Sequence, residues 1–146
     1  MTLDEIKKLG EKIKNEESLD ISHYPTVTIA VPCWNEEKTL PATLDSLMAL
    51  DYPKEKLLVI VVDDGSSDTT SLIAKEYEAK YSGVIRAITK ANGGKHTAVN
   101  LALTHATSDL FGCLDADSFV DAKALRTIVA YFEHHKEAMA VTPCIH

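Results

Sequence analysis

The chain has 146 residues, of which 45% are hydrophobic and 25% charged, as in an ordinary globular domain. Its formal net charge of −7 disfavours nonspecific nucleic-acid binding, because that binding depends on Lys and Arg neutralising phosphates. The three cysteines include no C-x-x-C pair, which argues against a disulfide framework and a structural zinc site and favours free thiols in a reducing compartment.

The N-terminal segment, residues 2 to 17, has apolar residues at spacings of three and four, which predicts a short amphipathic helix. His23-Tyr24-Pro25 then interrupts the chain, so we assign residues 1–25 to a helix and linker and 26–146 to one domain. The N-terminus is charged and lacks the apolar centre of a signal peptide. The apolar run Leu57 to Val62 is far shorter than the roughly 20 residues of a membrane span, so no span is predicted.

From residue 26 onward, apolar strand-like segments alternate with segments of helical periodicity. Strands are predicted over residues 27–31, 57–62, 84–88, 110–114 and 138–142. Helices are predicted between them, with inward-facing residues at Leu40, Leu44, Leu47 and Met48, then Leu72, Ile73, Tyr77 and Tyr81, then along 95–106, then Leu125, Ile128, Val129 and Phe132. This alternation predicts an α/β fold, a mostly parallel sheet with helices on both faces.

Helix starts are marked by capping residues. Asn35 is the candidate N-cap of the first predicted helix, and Ser67 or Asp68 is that of the second. Other polar clusters also follow the predicted strands, at 32–36, 63–67, 90–95 and 115–117. Parallel sheets bind ligands beyond the carboxyl ends of their strands, so these clusters predict one pocket.

Asp115-Ala116-Asp117 directly follows an apolar strand. In an extended segment, residues i and i+2 project to the same side, so the two carboxylates would share one small volume. A hard divalent ion, Mg²⁺ or Mn²⁺, stabilises such a pair and typically takes one or two carboxylates plus substrate phosphates. The tripeptide alone is also compatible with a helix cap, but its place after a strand favours a metal site.

Asp63 and Asp64 end the second predicted strand. A turn with a helix cap accounts for Ser67 and Asp68, but it explains Asp63 and Asp64 less well, because an acidic pair at the end of a buried strand is electrostatically costly. A carboxylate of Asp64 there is also suited to accept the ring N–H of uracil or guanine. In the segment 90–95, the glycines allow backbone N–H groups to approach an anion, and Lys90 and Lys95 offer counter-charge for a diphosphate. Its spacing matches neither a P-loop nor a dinucleotide fingerprint, and a plain turn before a helix remains the alternative.

The segment after the first strand offers further candidates. Glu36 is placed to hydrogen-bond a ribose or base, and Trp34 is either a core or a lid residue. Cys33 has no neighbouring base in the sequence, so no nucleophilic role is expected. The six histidines form no metal-ligand pattern: His96 is a candidate pocket residue, and His134 and His135 are expected at the surface.

Four motifs together resemble those of the family-2 glycosyltransferases, which adopt the GT-A fold. They are VTIAVPCWNEEKTL, VVDDGSSDTT, KANGGKHTAVNLAL and LDADS, in family order. The match covers about residues 26–146. The tract from Asn92 to Asp117 is most similar to the polysaccharide-synthesising branch, which includes cellulose, chitin, hyaluronan and poly-N-acetylglucosamine synthases.

The resemblance implies a role for each motif residue. The nucleotide and its diphosphate would be bordered by Pro32, Asn35, Glu36, Gly93, Gly94 and Lys95. Asp64 would contact the base, Asp115 would lie beside the ribose and the metal, and Asp117 would ligate the divalent ion. That ion bridges the diphosphate and stabilises the leaving nucleoside diphosphate. Family members invert at the anomeric carbon, with a carboxylate base taking the acceptor proton.

In the family that base lies downstream, and the polymerising branch adds a Gln-x-x-Arg-Trp motif and membrane helices there. Residues 118–146 contain none of these, so we expect a truncated domain that binds the donor, with UDP-sugar favoured, but transfers it poorly. A glycan or lipid-linked acceptor would bind through the missing half. The expected location is cytoplasmic, with the parent protein associated with the inner membrane.

Three alternatives remain open. A sugar-phosphate nucleotidyltransferase usually has a Gly-rich loop after its first strand, where this chain has residues 32–36 instead. A receiver-like signalling domain needs its acidic pair after the first strand, whereas Asp63 and Asp64 follow the second. The third is a non-catalytic remnant that binds a nucleotide sugar.

Overall fold

The structure is a computed structural model that describes Asp4, residues 21–134 and residues 144–145. Asp4 is helical, and the rest of the predicted helix over 2–17 lies outside the described residues. The predicted strand over 138–142, the side chain of His134 and all of His135 also lie outside them.

The described strands form one parallel sheet in the order β3-β2-β1-β4-β5. The strands are β1 (Val27–Cys33), β2 (Leu57–Asp63), β3 (Ile85–Thr89), β4 (Leu110–Leu114) and β5 (Cys144–Ile145). The first four coincide with predicted strands to within two residues. The fifth pairs with the end of β4 but lies beyond the predicted 138–142. The parallel α/β prediction is confirmed.

The order in which the chain adds strands to the sheet reverses between β1 and β4: β2 and β3 lie on one side of β1, and β4 and β5 lie on the other. β1 pairs with β2 along its whole length, from Val27 to Cys33, whereas it pairs with β4 only as far as Ala30. The two strands therefore part before Pro32, which has no N–H to donate to a neighbouring strand. Ligands of open α/β sheets bind at such a reversal, beyond the carboxyl ends of the strands.

Helices cover both faces of the sheet. They are α1 (Leu40–Met48), α2 (Thr70–Lys80), α3 (Lys95–His105) and α4 (Ala124–His134), with a short 3₁₀ turn at Lys54–Lys56. α1, α2 and α4 contribute to the larger core, and α3 packs on the opposite face. The small side chains of Ala98 and Ala102 place α3 directly against Ala30, Ile60 and Val62.

Two predictions about the helices are wrong. Asn35 does not cap α1, because the N-cap is Thr39 and Asn35 has a left-handed φ of 51°. Leu72 does not face inward: it is 57% exposed, whereas Ile73, Tyr77 and Tyr81 pack against the core as predicted. Positions 73, 77 and 81 repeat every four residues along one helix face, and position 72 lies about 100° away from that face.

The N-cap of α2 is Thr69, so the capping prediction for Ser67 or Asp68 is wrong. Asp68 nevertheless supports the start of the helix, because its Oδ1 accepts the N–H of Thr70 at 2.9 Å. Ser67 instead donates its N–H to the side chain of Asn35. Among the described helices, none has the length and apolar character needed to cross a membrane.

Candidate functional site

The loops that follow β1 and β2 bind each other through reciprocal hydrogen bonds. Asn35 Oδ1 accepts the N–H of Ser67 at 2.9 Å, and the N–H of Asn35 donates to Ser66 Oγ at 2.8 Å. The N–H of Glu36 donates to Thr70 Oγ1 at 2.9 Å. Asn35 is therefore occupied in joining the two loops, and it is absent from the lining of the cleft described below.

A second pair of contacts joins the same loops further from the sheet. Glu37 Oε2 accepts the N–H of Thr69 at 3.0 Å and its hydroxyl at 2.7 Å. These hydrogen bonds from Thr69 lower the pKa of Glu37 below its ordinary value. Because each loop supplies both donors and acceptors to the other, their relative position is set by several bonds.

Asp64 is a buried carboxylate at the carboxyl end of β2. Its Oδ1 accepts hydrogen bonds from Lys90 Nζ at 2.6 Å and from the N–H of Gly93 at 3.0 Å, and its Oδ2 accepts one from the N–H of Gly94 at 2.9 Å. Burial alone would raise the pKa of Asp64, but these hydrogen bonds outweigh it and hold the pKa below its ordinary value. Asp64 is therefore an ionised anchor for the loop before α3.

The expectation that Lys90 faces a diphosphate is wrong. Its ammonium donates to Asp64, to the carbonyl of Ala91 and to Thr97 Oγ1, which uses its three hydrogens inside the protein. The expectation that the amides of Gly93 and Gly94 face a bound anion is also corrected, because both donate to Asp64. These three residues hold the loop in place behind the cleft.

Two glycines have conformations or contacts that a side chain would disturb. Gly94, the N-cap of α3, has a φ of 97°. A Cβ on Gly65 would lie 2.8 Å from the backbone nitrogen of Asn92, so the loop after β2 approaches the loop before α3 closely. Asp63 supports the same turn, because its buried Oδ1 accepts the N–H of Ser66 at 3.1 Å.

Asp115-Ala116-Asp117 forms a turn, not the extended segment predicted. The N–H of Ser118 donates to the carbonyl of Asp115 at 3.0 Å, closing the turn just after β4. Ala116 is buried and its carbonyl accepts the hydroxyl of Thr43 at 2.7 Å. Asp117 is exposed, and both carboxylates nevertheless border the same cleft.

These loops surround a cleft of about 310 Å³ at the reversal point between β1 and β4. Its lining comprises Pro32, Cys33, Trp34, Glu36, Asp64, Lys95, Asp115, Ala116 and Asp117. Six of the nine predicted site residues are thus brought together, while Asn35, Gly93 and Gly94 stand behind the lining. Trp34 is 54% exposed, which excludes the core alternative, and His96 is exposed and outside the lining.

Lys95, the first residue of α3, extends to the opposite side of the cleft. Its Nζ lies 2.5 Å from Asp115 Oδ1. The cleft is therefore lined by one cationic side chain, Lys95, and by four acidic ones: Glu36, Asp64, Asp115 and Asp117.

Cys33 lines the cleft but is suited to no nucleophilic role. Burial, together with the charges of Asp63 and Glu36, raises the pKa of its thiol to about 12. Its Sγ donates to the carbonyl of Val62 at 3.4 Å. The thiolate is the reactive form of cysteine, so this environment keeps Cys33 inert, as expected.

The donor set fits a divalent cation that is shared with a ligand. No group of three or more His, Cys, Asp or Glu among the described residues forms a complete metal cage. Mg²⁺ and Mn²⁺, however, are commonly held by one or two carboxylates, several waters and substrate phosphates. Asp115 and Asp117 supply the two carboxylates of such a site.

Thr43 is the site-supporting residue that the sequence analysis missed. It lies within the apolar stripe of α1 and is fully buried. A buried hydroxyl requires a hydrogen-bond partner, so its position inside that stripe was an available signal. Nothing in the sequence indicates that this partner is the carbonyl of Ala116, 73 residues away.

A family model described as glycosyl transferase family 2 matches residues 28–146. The chain belongs to this family. Membership favours the transferase prediction over a nucleotidyltransferase or a receiver-like domain, and it agrees with the resemblance of the four motifs.

A glycosyltransferase of similar sequence is the poly-beta-1,6-N-acetyl-D-glucosamine synthase of Staphylococcus aureus, which is 30% identical over 136 residues. That match covers 93% of this chain and 32% of the synthase. The chain spans about a third of the length of the curated relatives that it matches first.

Two solved structures share the fold. One is S. aureus TarS in complex with UDP-GlcNAc, with a TM-score of 0.67, 29% identity, and coverage of 76% of this chain and 32% of TarS. The other is the mannosyltransferase PcManGT of Pyrobaculum calidifontis in complex with GDP-Man and Mn²⁺, with a TM-score of 0.67, 28% identity, and coverage of 87% and 39%. The GT-A fold prediction is thereby confirmed.

Proposed function

We propose that residues 26–146 are the donor-binding domain of an inverting glycosyltransferase, preceded by an N-terminal helix and linker over 1–25. In this proposal the cleft binds a nucleoside diphosphate sugar together with Mg²⁺ or Mn²⁺, and the parent protein passes the sugar to a glycan or lipid-linked acceptor. One observation carries it: Asp64, Lys95 and the pair Asp115 and Asp117 come from three separate segments and border one cleft at the reversal point of the sheet.

The base-binding end of the cleft favours UDP over GDP. A carboxylate offers about four lone-pair directions, and hydrogen bonds from Lys90, Gly93 and Gly94 occupy three of those on Asp64. The direction that remains belongs to Oδ2. It suits the single ring N–H of uracil, whereas the ring N–H and amino group of guanine together require two acceptors. TarS has a similar fold and was solved in complex with UDP-GlcNAc, which supports this proposal.

The diphosphate end of the cleft carries the charged residues. A bound divalent cation would be held by Asp117 and Asp115, and it would neutralise the diphosphate and stabilise the leaving nucleoside diphosphate. Lys95, whose ammonium contacts Asp115, would supply a second positive charge for the diphosphate. PcManGT has a similar fold and was solved with Mn²⁺, which supports this choice of ion.

The four acidic residues lining the cleft all have donor-side roles in this proposal. Asp64 accepts from the base, Glu36 lies at the ribose side, and Asp115 and Asp117 face the cation. The acceptor base is therefore assigned to no lining residue. We accordingly propose that the 146 residues alone bind the donor but transfer its sugar slowly or not at all.

Calorimetry on the whole chain tests the proposal, with UDP and GDP as probes, each with and without Mn²⁺. We expect UDP to bind more tightly than GDP, and Mn²⁺ to strengthen UDP binding. Asp117→Ala should remove most of that Mn²⁺-dependent gain, about tenfold or more, because one of two carboxylate ligands is lost.

Glu76→Ala is the matched control, because it removes one negative charge from an exposed position on α2. It should leave UDP binding unchanged. If Asp117→Ala binds UDP with Mn²⁺ as tightly as the unmodified chain, the proposed site is wrong. A substantial transfer rate from the isolated chain would contradict the proposal that these 146 residues bind the donor but transfer its sugar slowly or not at all.

A further inference from the structure

Helix α1 lies behind the cleft and contacts both loops that form its walls. At its start, the N–H of Leu40 donates to the carbonyl of Glu36 at 2.9 Å. One turn later, the hydroxyl of Thr43 donates to the carbonyl of Ala116 at 2.7 Å. Positions 40 and 43 lie on one face of a helix, so this face joins the loop after β1 to the turn after β4.

A further contact on α1 supports the same segment. Ser46 Oγ donates to the carbonyl of Thr43 at 2.7 Å and accepts the N–H of Val120 at 3.3 Å. Residues 116 and 120 are therefore both held by hydroxyls of α1. The Asp115-Ala116-Asp117 turn lies at the beginning of this held segment.

We propose that Thr43, backed by Ser46, is a positioning residue for the divalent cation, an inference that rests on the proposed function. The carbonyl of Ala116 belongs to the peptide group that continues into Asp117. Because a peptide group is planar, fixing its oxygen also fixes the direction of the next N–Cα bond. Thr43 thereby sets where the exposed carboxylate of Asp117 stands relative to Asp115.

Burial makes this contact effective. Thr43 is fully buried, and Ala116 is 3% exposed. If the hydroxyl were removed, the Ala116 carbonyl would have to reach another donor, and the turn would have to move to allow it. The hydrogen bond from the N–H of Ser118 to the carbonyl of Asp115 joins the ends of the turn and does not orient the central peptide.

A role in packing alone makes a different prediction from a role in positioning. Thr43 lies between Leu40, Leu44 and Leu47, and valine has nearly the same shape. Valine would fill the space of Thr43 but would donate no hydrogen bond. Thr43→Val therefore removes the contact with Ala116 while it retains most of the packing, and Thr43→Ser restores the donor.

The test measures UDP affinity of the whole chain by calorimetry, with Mn²⁺ and with chelator, and the free energy of unfolding in urea. The deciding quantity is the ratio of the two UDP affinities. We expect Thr43→Val to reduce this ratio by about fivefold or more, because a displaced carboxylate binds the cation poorly. Thr43→Ser should restore it to within about twofold.

The control is Thr104→Val on α3. Thr104 is exposed, and its hydroxyl donates to the carbonyl of Leu101 within the same helix. This substitution should leave the ratio unchanged. If Thr43→Val does not fold, Ser46→Ala replaces it. A smaller reduction is expected, because this variant removes the contacts of Ser46 with Val120 and with the Thr43 carbonyl but retains the Thr43–Ala116 hydrogen bond.

Two results overturn the proposal in distinguishable ways. If Thr43→Val lowers the free energy of unfolding but leaves the affinity ratio equal to that of the unmodified chain, Thr43 is a structural residue only, and the proposed function stands. The same conclusion follows for Ser46→Ala. If the unmodified chain itself binds UDP equally with and without Mn²⁺, the proposed function fails and the positioning role fails with it.

Discussion

The ammonium of Lys95 lies 2.5 Å from Oδ1 of Asp115, so a carboxylate assigned to the cation already contacts a positive charge. The two side chains reach each other across the cleft, from the start of α3 and from the end of β4. Both are partly exposed, so the pair adds at most about 1 kcal/mol to the free energy of unfolding. Its larger consequence is for binding, because Lys95 and the proposed divalent cation would compete for the same oxygen.

Lys95→Met should therefore strengthen the binding of Mn²⁺ in the absence of nucleotide. The expected gain is about twofold to fivefold, as for the loss of a partly exposed ion pair. The same variant should weaken UDP binding measured without metal, because a positive charge beside the proposed diphosphate site is lost. Calorimetry with Mn²⁺ alone and with UDP in chelator measures the two effects separately.

The matched control for Lys95 is Lys75→Met, which removes an exposed positive charge on α2. It alters the net charge equally, so any change that it shares with Lys95→Met reflects the overall field of the protein. Weaker Mn²⁺ binding by Lys95→Met would show that the ammonium supports the metal site instead of competing for it.

The pair Asp64 and Lys90 should make stability depend on pH in the acid range. The folded protein holds the pKa of Asp64 below its ordinary value, so the unfolded chain takes up a proton first as the pH falls. The stabilisation is therefore complete above about pH 5 and is lost as the pH falls through the lower pKa of the folded state.

Asp64→Asn isolates this contribution. At neutral pH it should lower the free energy of unfolding by about 3 kcal/mol, because Lys90 loses its charged partner in a largely buried place. The difference from the unmodified chain should shrink as the pH approaches about 3. Urea unfolding across this range measures it, and a difference that stays constant with pH would contradict the assignment.

Much of the cleft was predictable because the carboxyl end of a strand can be located in the sequence and lies at a known edge of the sheet. In a parallel sheet all strands point the same way, so residues following different strands meet at one edge. Asp64, Asp115 and Asp117 were found by this reasoning. It required no knowledge of contacts between distant segments.

The contacts between loops were not predictable in the same way. Asn35 bonds to Ser67, and Asp64 bonds to Gly93 and Gly94, across about 30 residues of sequence. Nothing in a single sequence indicates which donor in one loop meets which acceptor in another. The polar residues that looked like ligand contacts therefore include several that hold the loops together.

The exposed position of Leu72 and the buried position of Leu44 have different consequences for stability. Leu44 is fully buried, and Leu72 is 57% exposed although both were predicted to face the core. Leu44→Ala should lower the free energy of unfolding by about 2–5 kcal/mol, the cost of lost burial and a cavity. Leu72→Ala should change it by no more than about 0.5 kcal/mol.

Urea unfolding of these two variants decides between the predicted and the observed face of α2. A loss of more than about 1.5 kcal/mol for Leu72→Ala would restore the inward-facing prediction and contradict its exposed position. Comparing the same substitution at both sites removes differences in side-chain chemistry.

Cys33 should resist alkylation in the folded chain, although it borders the cleft. Burial raises the pKa of its thiol to about 12, so at about pH 8 only about one molecule in ten thousand carries the reactive thiolate. Its 4% exposure further limits access for the reagent. We expect iodoacetamide to leave the peptide that contains Cys33 unmodified under native conditions. The same peptide should react readily in urea, where its pKa returns to about 8.5.

Peptide mass spectrometry assigns the modification to Cys33 without any substitution, and the urea sample shows that the peptide is detectable. Rapid native labelling would mean that the end of β1 opens to solvent or that the thiol is activated, and either result would reopen the question of a nucleophile in the cleft. Protection would instead leave the acidic residues and Lys95 as the polar side chains that the proposed nucleotide sugar would meet.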